Sequence, residues 1–144
     1  MDIKILDGNP GAIQVVIKCE RIDDEVRRLK SHINLFDRKL TAKRMEQTVF
    51  VELGEVLYFE SVDNRTFAYT CGEVLEVKYR LYELEGMLPG EDFFRISKAQ
   101  IVNINQIRTL APCFNRTLLA TMTNGEQVYI SRKYAVELRN VLSI

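Results

Sequence analysis

The residues best suited to chemistry in this chain are cations in its last third. Residues 93–144 carry seven Lys or Arg and two Asp or Glu, whereas residues 41–92 carry five and eleven, and the whole chain has a formal net charge of +0. Such asymmetry favours a basic face that attracts polyanions, although ordinary solvated surface charge is an alternative explanation. The seven cations are Arg95, Lys98, Arg108, Arg116, Arg132, Lys133 and Arg139.

Catalytic chemistry has few suitable side chains. His32 is the single histidine, so any Ser-His-Asp or Cys-His arrangement would have to use it, and it lies inside a predicted amphipathic helix. No glycine-rich phosphate loop is present. Glu52, Glu55, Glu60 and Asp63 are clustered in the sequence, but exposed strand and turn positions account for them. We therefore expect no enzyme and no catalytic residue.

The three cysteines give no sign of a metal or redox site. Cys19, Cys71 and Cys113 are odd in number and far apart, without a CxxC pair. Zinc sites and thioredoxin-type sites need such close pairs. Reduced thiols that pack as small apolar side chains are the simplest interpretation. We expect no metal and no cofactor.

The composition is that of a globular protein. The 144 residues are 47% hydrophobic and 28% charged, which is typical of one folded domain of ordinary size. All apolar runs are far shorter than the roughly 20 residues that a membrane span needs. Acidic residues through positions 1–25 argue against a signal peptide. We expect a cytoplasmic protein without membrane insertion.

The elements that must position these residues divide at about residue 44. Residues 1–44 predict a small ββα unit, with strands at 2–6 and 12–20 around an Asn-Pro-Gly turn. Asp23 is suited to cap a helix that runs to about Leu40. The apolar residues of this helix form one stripe at steps of four and three: Ile22, Val26, Leu29, Ile33, Phe36 and Leu40. The stripe could cover the two strands of its own unit or pair with a second copy in a dimer.

A weakly patterned linker at 41–47 is predicted next, and residues 45–144 predict a mainly β (β-rich α+β) domain of stacked antiparallel sheets. Asn124-Gly125 is a strong hairpin signal, and Ser131 is a candidate N-cap for a last helix. The expected strands are 48–53, 55–61, 66–71, 73–79, 93–96, 101–104, 106–111, 117–123 and 127–130, and the expected helices are 81–88 and 132–142.

Three segments in this order are more specific than the composition. They are YFESVDNR at 58–65, FRISKAQIVN at 94–103, and Asn-Gly at 124–125 leading into ISRKY at 130–134. Together they resemble the LytTR-type DNA-binding domain of bacterial transcription regulators, over about two-thirds of the chain. The resemblance implies small antiparallel sheets with a short helix, and loops that enter successive major grooves of double-stranded DNA.

The resemblance also implies particular residues. Carried over by position, the base-reading residues are Arg65, Lys98 and Arg132, and the neighbours expected to contact phosphates or base edges are Asn64, Ser97 and Lys133. An arginine fork or a lysine can bind the major-groove acceptors of guanine, and short polar side chains can hold phosphates. Asn103 is expected to make a structural hydrogen bond instead.

Two departures from the family pattern change the expectation. The usual His-Arg-Ser before the Ile-Val-Asn segment is here Ser97-Lys98-Ala99, which replaces an arginine fork with a point charge and predicts weaker base discrimination. Many members carry a receiver domain, and residues 1–44 are too few for one, so we expect a short form without it.

The leading hypothesis is a promoter-binding transcription regulator that acts as a homodimer. The alternative is a β-rich interaction module whose basic face binds an acidic protein or RNA.

Overall fold

Strands dominate the chain, which a computed structural model describes at residues 1–8, 11, 13–36 and 38–144. Those residues contain three α-helices, ten β-strands and three short 3-10 turns. In chain order the helices and strands are α1 Asp24–Leu35, β1 Lys39–Arg44, β2 Gln47–Glu52, β3 Tyr58–Val62, β4 Arg65–Tyr69, β5 Val74–Val77, α2 Leu81–Met87, β6 Phe93–Arg95, β7 Gln100–Asn103, β8 Ile107–Pro112, β9 Leu118–Met122, β10 Gln127–Ile130 and α3 Arg132–Leu142.

The strands form two antiparallel sheets. The first sheet has seven strands in the order β2-β1-β5-β4-β3-β7-β6, and the second sheet has three in the order β10-β9-β8. The mainly β, stacked-sheet expectation is confirmed. From residue 48 onward, the first and last residues of each predicted strand or helix differ by at most three positions from those of an observed one.

The central strands of the first sheet are buried on both faces, because alternate side chains of a strand point to opposite sides. Phe59 of β3 and Ile101 of β7 enter one core together with residues of α2. Tyr58 and Val102, their neighbours on the same strands, enter a second core with residues of the second sheet and α3. Packing on two sides fixes the ends of β3 and β7, where the loops of the candidate site begin.

The ββα prediction for residues 1–44 is wrong in its two strands. Residues 1–8 and 13–23 contain no strand, and the predicted turn and the first residue of the second strand lie mostly outside the described residues. Most of the described apolar side chains of this segment are exposed, as at Ile13, which is 96% exposed. A strand needs a pairing neighbour and an apolar layer to cover it, and the described part of the chain offers this segment neither.

The helix prediction holds at its start and fails at its end. Asp23 caps α1, since its Oδ1 accepts a hydrogen bond from the Val26 backbone N–H at 3.0 Å. The helix ends at Leu35, since the backbone of Phe36 is no longer helical, with a ψ of 128°. Leu40 belongs to β1 instead and is buried there. The predicted linker at 41–47 is therefore wrong: β1 pairs with β2 along its whole length and with β5 on its other side.

Two predictions of local structure are confirmed. Asn103 is buried, and its Nδ2 donates to the Val56 carbonyl at 2.9 Å while its Oδ1 accepts from the Asn105 N–H at 3.1 Å. Asn124 and Gly125 form the β9–β10 hairpin, with Gly125 at a φ of 90° that suits glycine. None of the described helices is long and apolar enough to cross a membrane.

Candidate nucleic-acid interface

Three loops carry the residues named by the sequence motifs, and backbone hydrogen bonds tie them to one another. The Ser61 N–H at the end of β3 donates to the Ala99 carbonyl at 2.8 Å, and the Ser131 N–H before α3 donates to the Ile96 carbonyl at 2.9 Å. Residues 96–99 therefore lie between the other two loops. We call residues 62–65, 96–99 and 131–133 together the loop cluster.

The first loop is a tight turn between β3 and β4. Its central residues, Asp63 and Asn64, have positive φ angles of 50° and 63°, as a type I′ turn requires, and both residue types tolerate them. The Asn64 carbonyl accepts a hydrogen bond from Arg80 Nη1 at 2.9 Å, which ties the turn to the residue before α2. The turn holds Asn64 and Arg65 at the end of the sheet.

Arg65 is exposed, but its guanidinium already has a partner. Its Nε donates to Glu76 Oε1 at 3.1 Å and its Nη2 to Glu76 Oε2, and the Phe67 ring lies 5.3 Å from the Arg65 Cζ. Hydrogen bonding to Glu76 raises the pKa of Arg65, and the same hydrogen bonding lowers the pKa of the Glu76 carboxyl. Glu76 therefore occupies the Nε and Nη2 side of the Arg65 guanidinium in this structure.

The second loop is shaped by Arg95, whose role the sequence reasoning missed. Arg95 Nε donates to the Ser97 carbonyl at 2.7 Å and Nη2 to the Lys98 carbonyl at 2.5 Å, while Nη1 is bonded to Glu85 of α2. Ser97 Oγ accepts from the Ala99 N–H at 3.2 Å. These bonds fix the loop backbone. The one signal in the sequence was a cation between two apolar residues at the end of a short strand.

The third loop presents the first residues of α3. Arg132 and Lys133 are exposed, and Lys133 Nζ lies 5.1 Å from the centre of the Tyr134 ring. Ser131 occupies the predicted N-cap position, but its side chain makes no capping hydrogen bond; its carbonyl accepts from the Ala135 N–H at 2.8 Å. The side chains of Lys98 and Arg132 have no partner among the residues that the structure describes.

The loop cluster carries the positive charge needed to attract an anion. It brings together four cations: Arg65, Lys98, Arg132 and Lys133. Within the described ranges, no three His, Cys, Asp or Glu side chains come close enough to hold a metal ion.

The cysteines are free thiols, and Cys19 and Cys71 are exposed rather than packed as small apolar side chains.

The fold is a β-rich one in which two antiparallel sheets carry cationic loops, a class of surface suited to polyanions. Comparison with known proteins identifies the family. The family model described as the LytTr DNA-binding domain matches residues 46–143. The chain belongs to this family. A solved LytTr DNA-binding domain from Bacillus cereus is similar to it with a TM-score of 0.71 and 33% identity, covering 74% of this chain and 97% of that one.

Two relatives show how the similarity extends beyond that domain. The sensory transduction protein LytT of Bacillus subtilis is 27% identical over 131 residues, which cover 91% of this chain and 54% of LytT. The chain thus spans about half the length of that relative. A Staphylococcus aureus protein named as an HTH-type transcriptional regulator is 27% identical over 141 residues, covering 96% of this chain and 95% of that protein.

Proposed function

We propose that this protein is a transcription regulator that reads double-stranded promoter DNA through the loop cluster, without catalysis or a cofactor. The observation that carries the proposal is the arrangement of four cations on three loops that are hydrogen-bonded to one another, in a member of a DNA-binding domain family. The geometry suits duplex DNA, because short rigid loops can enter a groove while flanking polar groups hold the phosphates.

The proposed roles follow the chemistry of each side chain. Arg132 and Lys98 read base edges, and Arg65 joins them once DNA has displaced Glu76. Asn64, Ser97 and Lys133 contact phosphates or base edges and set the register. Arg132 stands in the first turn of α3, where the helix dipole disfavours a cation. A partner outside the fold explains why a cation is used there.

The test is DNA binding by the full chain. A duplex selected from a random library serves as the cognate site, and a scrambled duplex and an RNA duplex serve as controls. If four to six phosphates are neutralised, the logarithm of the binding constant should fall with log salt at a slope of roughly −4 to −5. Lack of duplex binding at low salt would refute the proposal, and preference for the RNA duplex would favour the interaction-module alternative.

We also propose that the regulator works in the cytoplasm as a homodimer joined through residues before the domain. Ile22 and Phe36, at either side of α1, are 69% and 82% exposed, and the segment before α1 is apolar and exposed as well. Exposed apolar surface of this kind is a common basis for association.

Sedimentation should show a dimer for the full chain and a monomer after deletion of residues 1–22. Deletion should stop before α1, because Leu35 of α1 is buried in the core beside the first sheet. A monomeric full chain at high micromolar concentration would refute the dimer.

A further inference from the structure

The connection between β8 and β9 is a tight, exposed turn that the loop cluster does not include. Its central residues, Asn115 and Arg116, have φ angles of 55° and 62°. The Thr117 N–H donates to the Phe114 carbonyl at 3.2 Å, Thr117 Oγ1 donates to the same oxygen at 2.7 Å, and the Cys113 N–H donates to the Thr117 carbonyl at 2.9 Å. The hydrogen bonds hold the turn in one conformation.

Arginine is an unexpected residue at the second central position of such a turn. Positive φ at both central residues favours asparagine first and glycine second, and Asn115 fits that preference while Arg116 does not. Arg116 is exposed, and its guanidinium bonds to none of the residues that the structure describes. A strained backbone position whose side chain forms no bond within the described fold is typical of a functional position.

The strand register puts this turn at the same end of the second sheet as Arg132. Leu118 of β9 pairs with Ile130 of β10. Arg116 precedes Leu118 by two residues, and Arg132 follows Ile130 by two, so both extend beyond the same end of the pair. The 3-10 turn Phe114–Arg116 also contacts α3.

An aromatic pair braces the turn against β10. The Phe114 ring lies 6.1 Å from the ring of Tyr129, although both side chains are more than half exposed. Tyr129 is three residues before Arg132, so the pair links the turn to the strand that leads into the third loop of the cluster.

We propose that the turn at 114–117 is a fourth DNA-contacting loop and that Arg116 binds a backbone phosphate beside the groove that Arg132 enters. The inference rests on the proposed function. Neighbouring strands are about 4.8 Å apart, and the major groove is about 12 Å wide, so a residue one strand away from the centre of the groove meets the phosphates that border it. A guanidinium fork is well suited to a phosphate, which it can bind through two hydrogen bonds.

The experiment compares Arg116→Asn with Arg108→Asn in the full chain. Asparagine tolerates positive φ, so the first variant removes the charge without a new backbone conflict. Arg108 is an exposed arginine near the other end of β8, four residues or about 13 Å along the strand from Pro112. It therefore controls for the loss of one positive charge from the second sheet.

The affinity of Arg116→Asn should fall about fivefold at 0.15 M salt on cognate and scrambled duplexes alike, with a salt slope smaller by about one. Arg108→Asn should bind as the unchanged protein does, and the thermal midpoint of Arg116→Asn should not fall. Arg116→Lys should restore the slope.

Other outcomes overturn the inference in distinguishable ways. Equal binding by the Arg116→Asn variant and the unchanged protein would show that the turn at 114–117 does not contact DNA, without affecting the proposed function. A loss on the cognate duplex alone would make Arg116 a base reader, and a loss accompanied by a lower thermal midpoint would make it structural. If the unchanged protein bound no duplex, the proposed function and this inference would both fail.

Discussion

Replacing Arg95 with lysine should uncouple base discrimination from general DNA affinity. Arg95 is 20% exposed on its side chain, and it holds the loop at 96–99 through the carbonyls of Ser97 and Lys98. Lysine keeps the positive charge but has no planar fork, so it cannot hold both carbonyls and Glu85 in the same geometry.

The size of the effect follows from the bonds that are lost. A hydrogen bond to a charged group contributes about 1.5–3 kcal/mol, whereas the half-exposed ion pair with Glu85 contributes at most about 1 kcal/mol. Losing one carbonyl bond and weakening the ion pair should destabilise the ordered conformation of residues 96–99 by about 2 kcal/mol. If DNA binding must restore that order, cognate affinity falls about thirtyfold. Affinity for a scrambled duplex and the salt slope should not change, because the net charge is the same.

A double-mutant cycle with Lys98→Ala is the decisive assay, with fluorescence anisotropy on cognate and scrambled duplexes as the readout. If Arg95 acts by positioning Lys98, then Arg95→Lys should change cognate affinity little in a protein that already carries Lys98→Ala. Arg139→Lys, at the exposed end of α3, is the matched control. An unchanged cognate affinity, or the same loss in the presence and absence of Lys98, would refute the positioning role.

Three further predictions concern the loop cluster and the core beside it. Arg132→Ala should weaken binding to the cognate duplex by about 1–3 kcal/mol and relax the preference at one base pair, whereas Lys133→Ala should weaken binding to cognate and scrambled duplexes equally. If Arg132→Ala loses affinity equally on both duplexes, Arg132 contacts the backbone and not a base. Glu76→Gln should release Arg65, raise DNA affinity about fivefold at 0.15 M salt and steepen the salt slope by about one, so an unchanged slope in a titration would show that Arg65 does not reach DNA. Burial is the main cause of the raised pKa of the Tyr58 phenol, so its neutral form is favoured in the folded state. That contribution to stability is full below about pH 10, the ordinary value, and is lost as the pH rises from there through the higher pKa of the folded state. Thermal midpoints measured between pH 8 and pH 11 should fall less steeply for Tyr58→Phe, and parallel curves would contradict this.

Sequence patterns predicted most of the chain from residue 48 onward because local signals there agree with the fold. Alternating apolar residues and turn residues marked the strands, and α3 runs over Arg132–Leu142 as predicted. The same patterns misled before residue 48. The segment before α1 has strand composition but no described partner strand, and β1, with its plain sequence KLTAKR, becomes a strand because β2 and β5 lie on either side of it.

The motifs named six candidate contact residues, whose roles remain predictions, but not the interactions around them. Arg65 and Glu76 are eleven residues apart, and only the pairing of β4 with β5 brings their side chains together. In the sequence Arg95 resembles any other surface cation. Only the fold of the loop at 96–99 directs the Ser97 and Lys98 carbonyls at its guanidinium.

Sequence by itself determined residue types, strand periodicity and membership of a DNA-binding family, because these depend on neighbours along the chain. Tertiary structure decided which cations share a surface. Arg116 and Arg132 lie at one end of the second sheet because the β9–β10 register puts them there, and Arg108 of the same basic segment lies near the other end. Pairing between strands sets such distances, and a one-residue change of register would alter them without changing the composition.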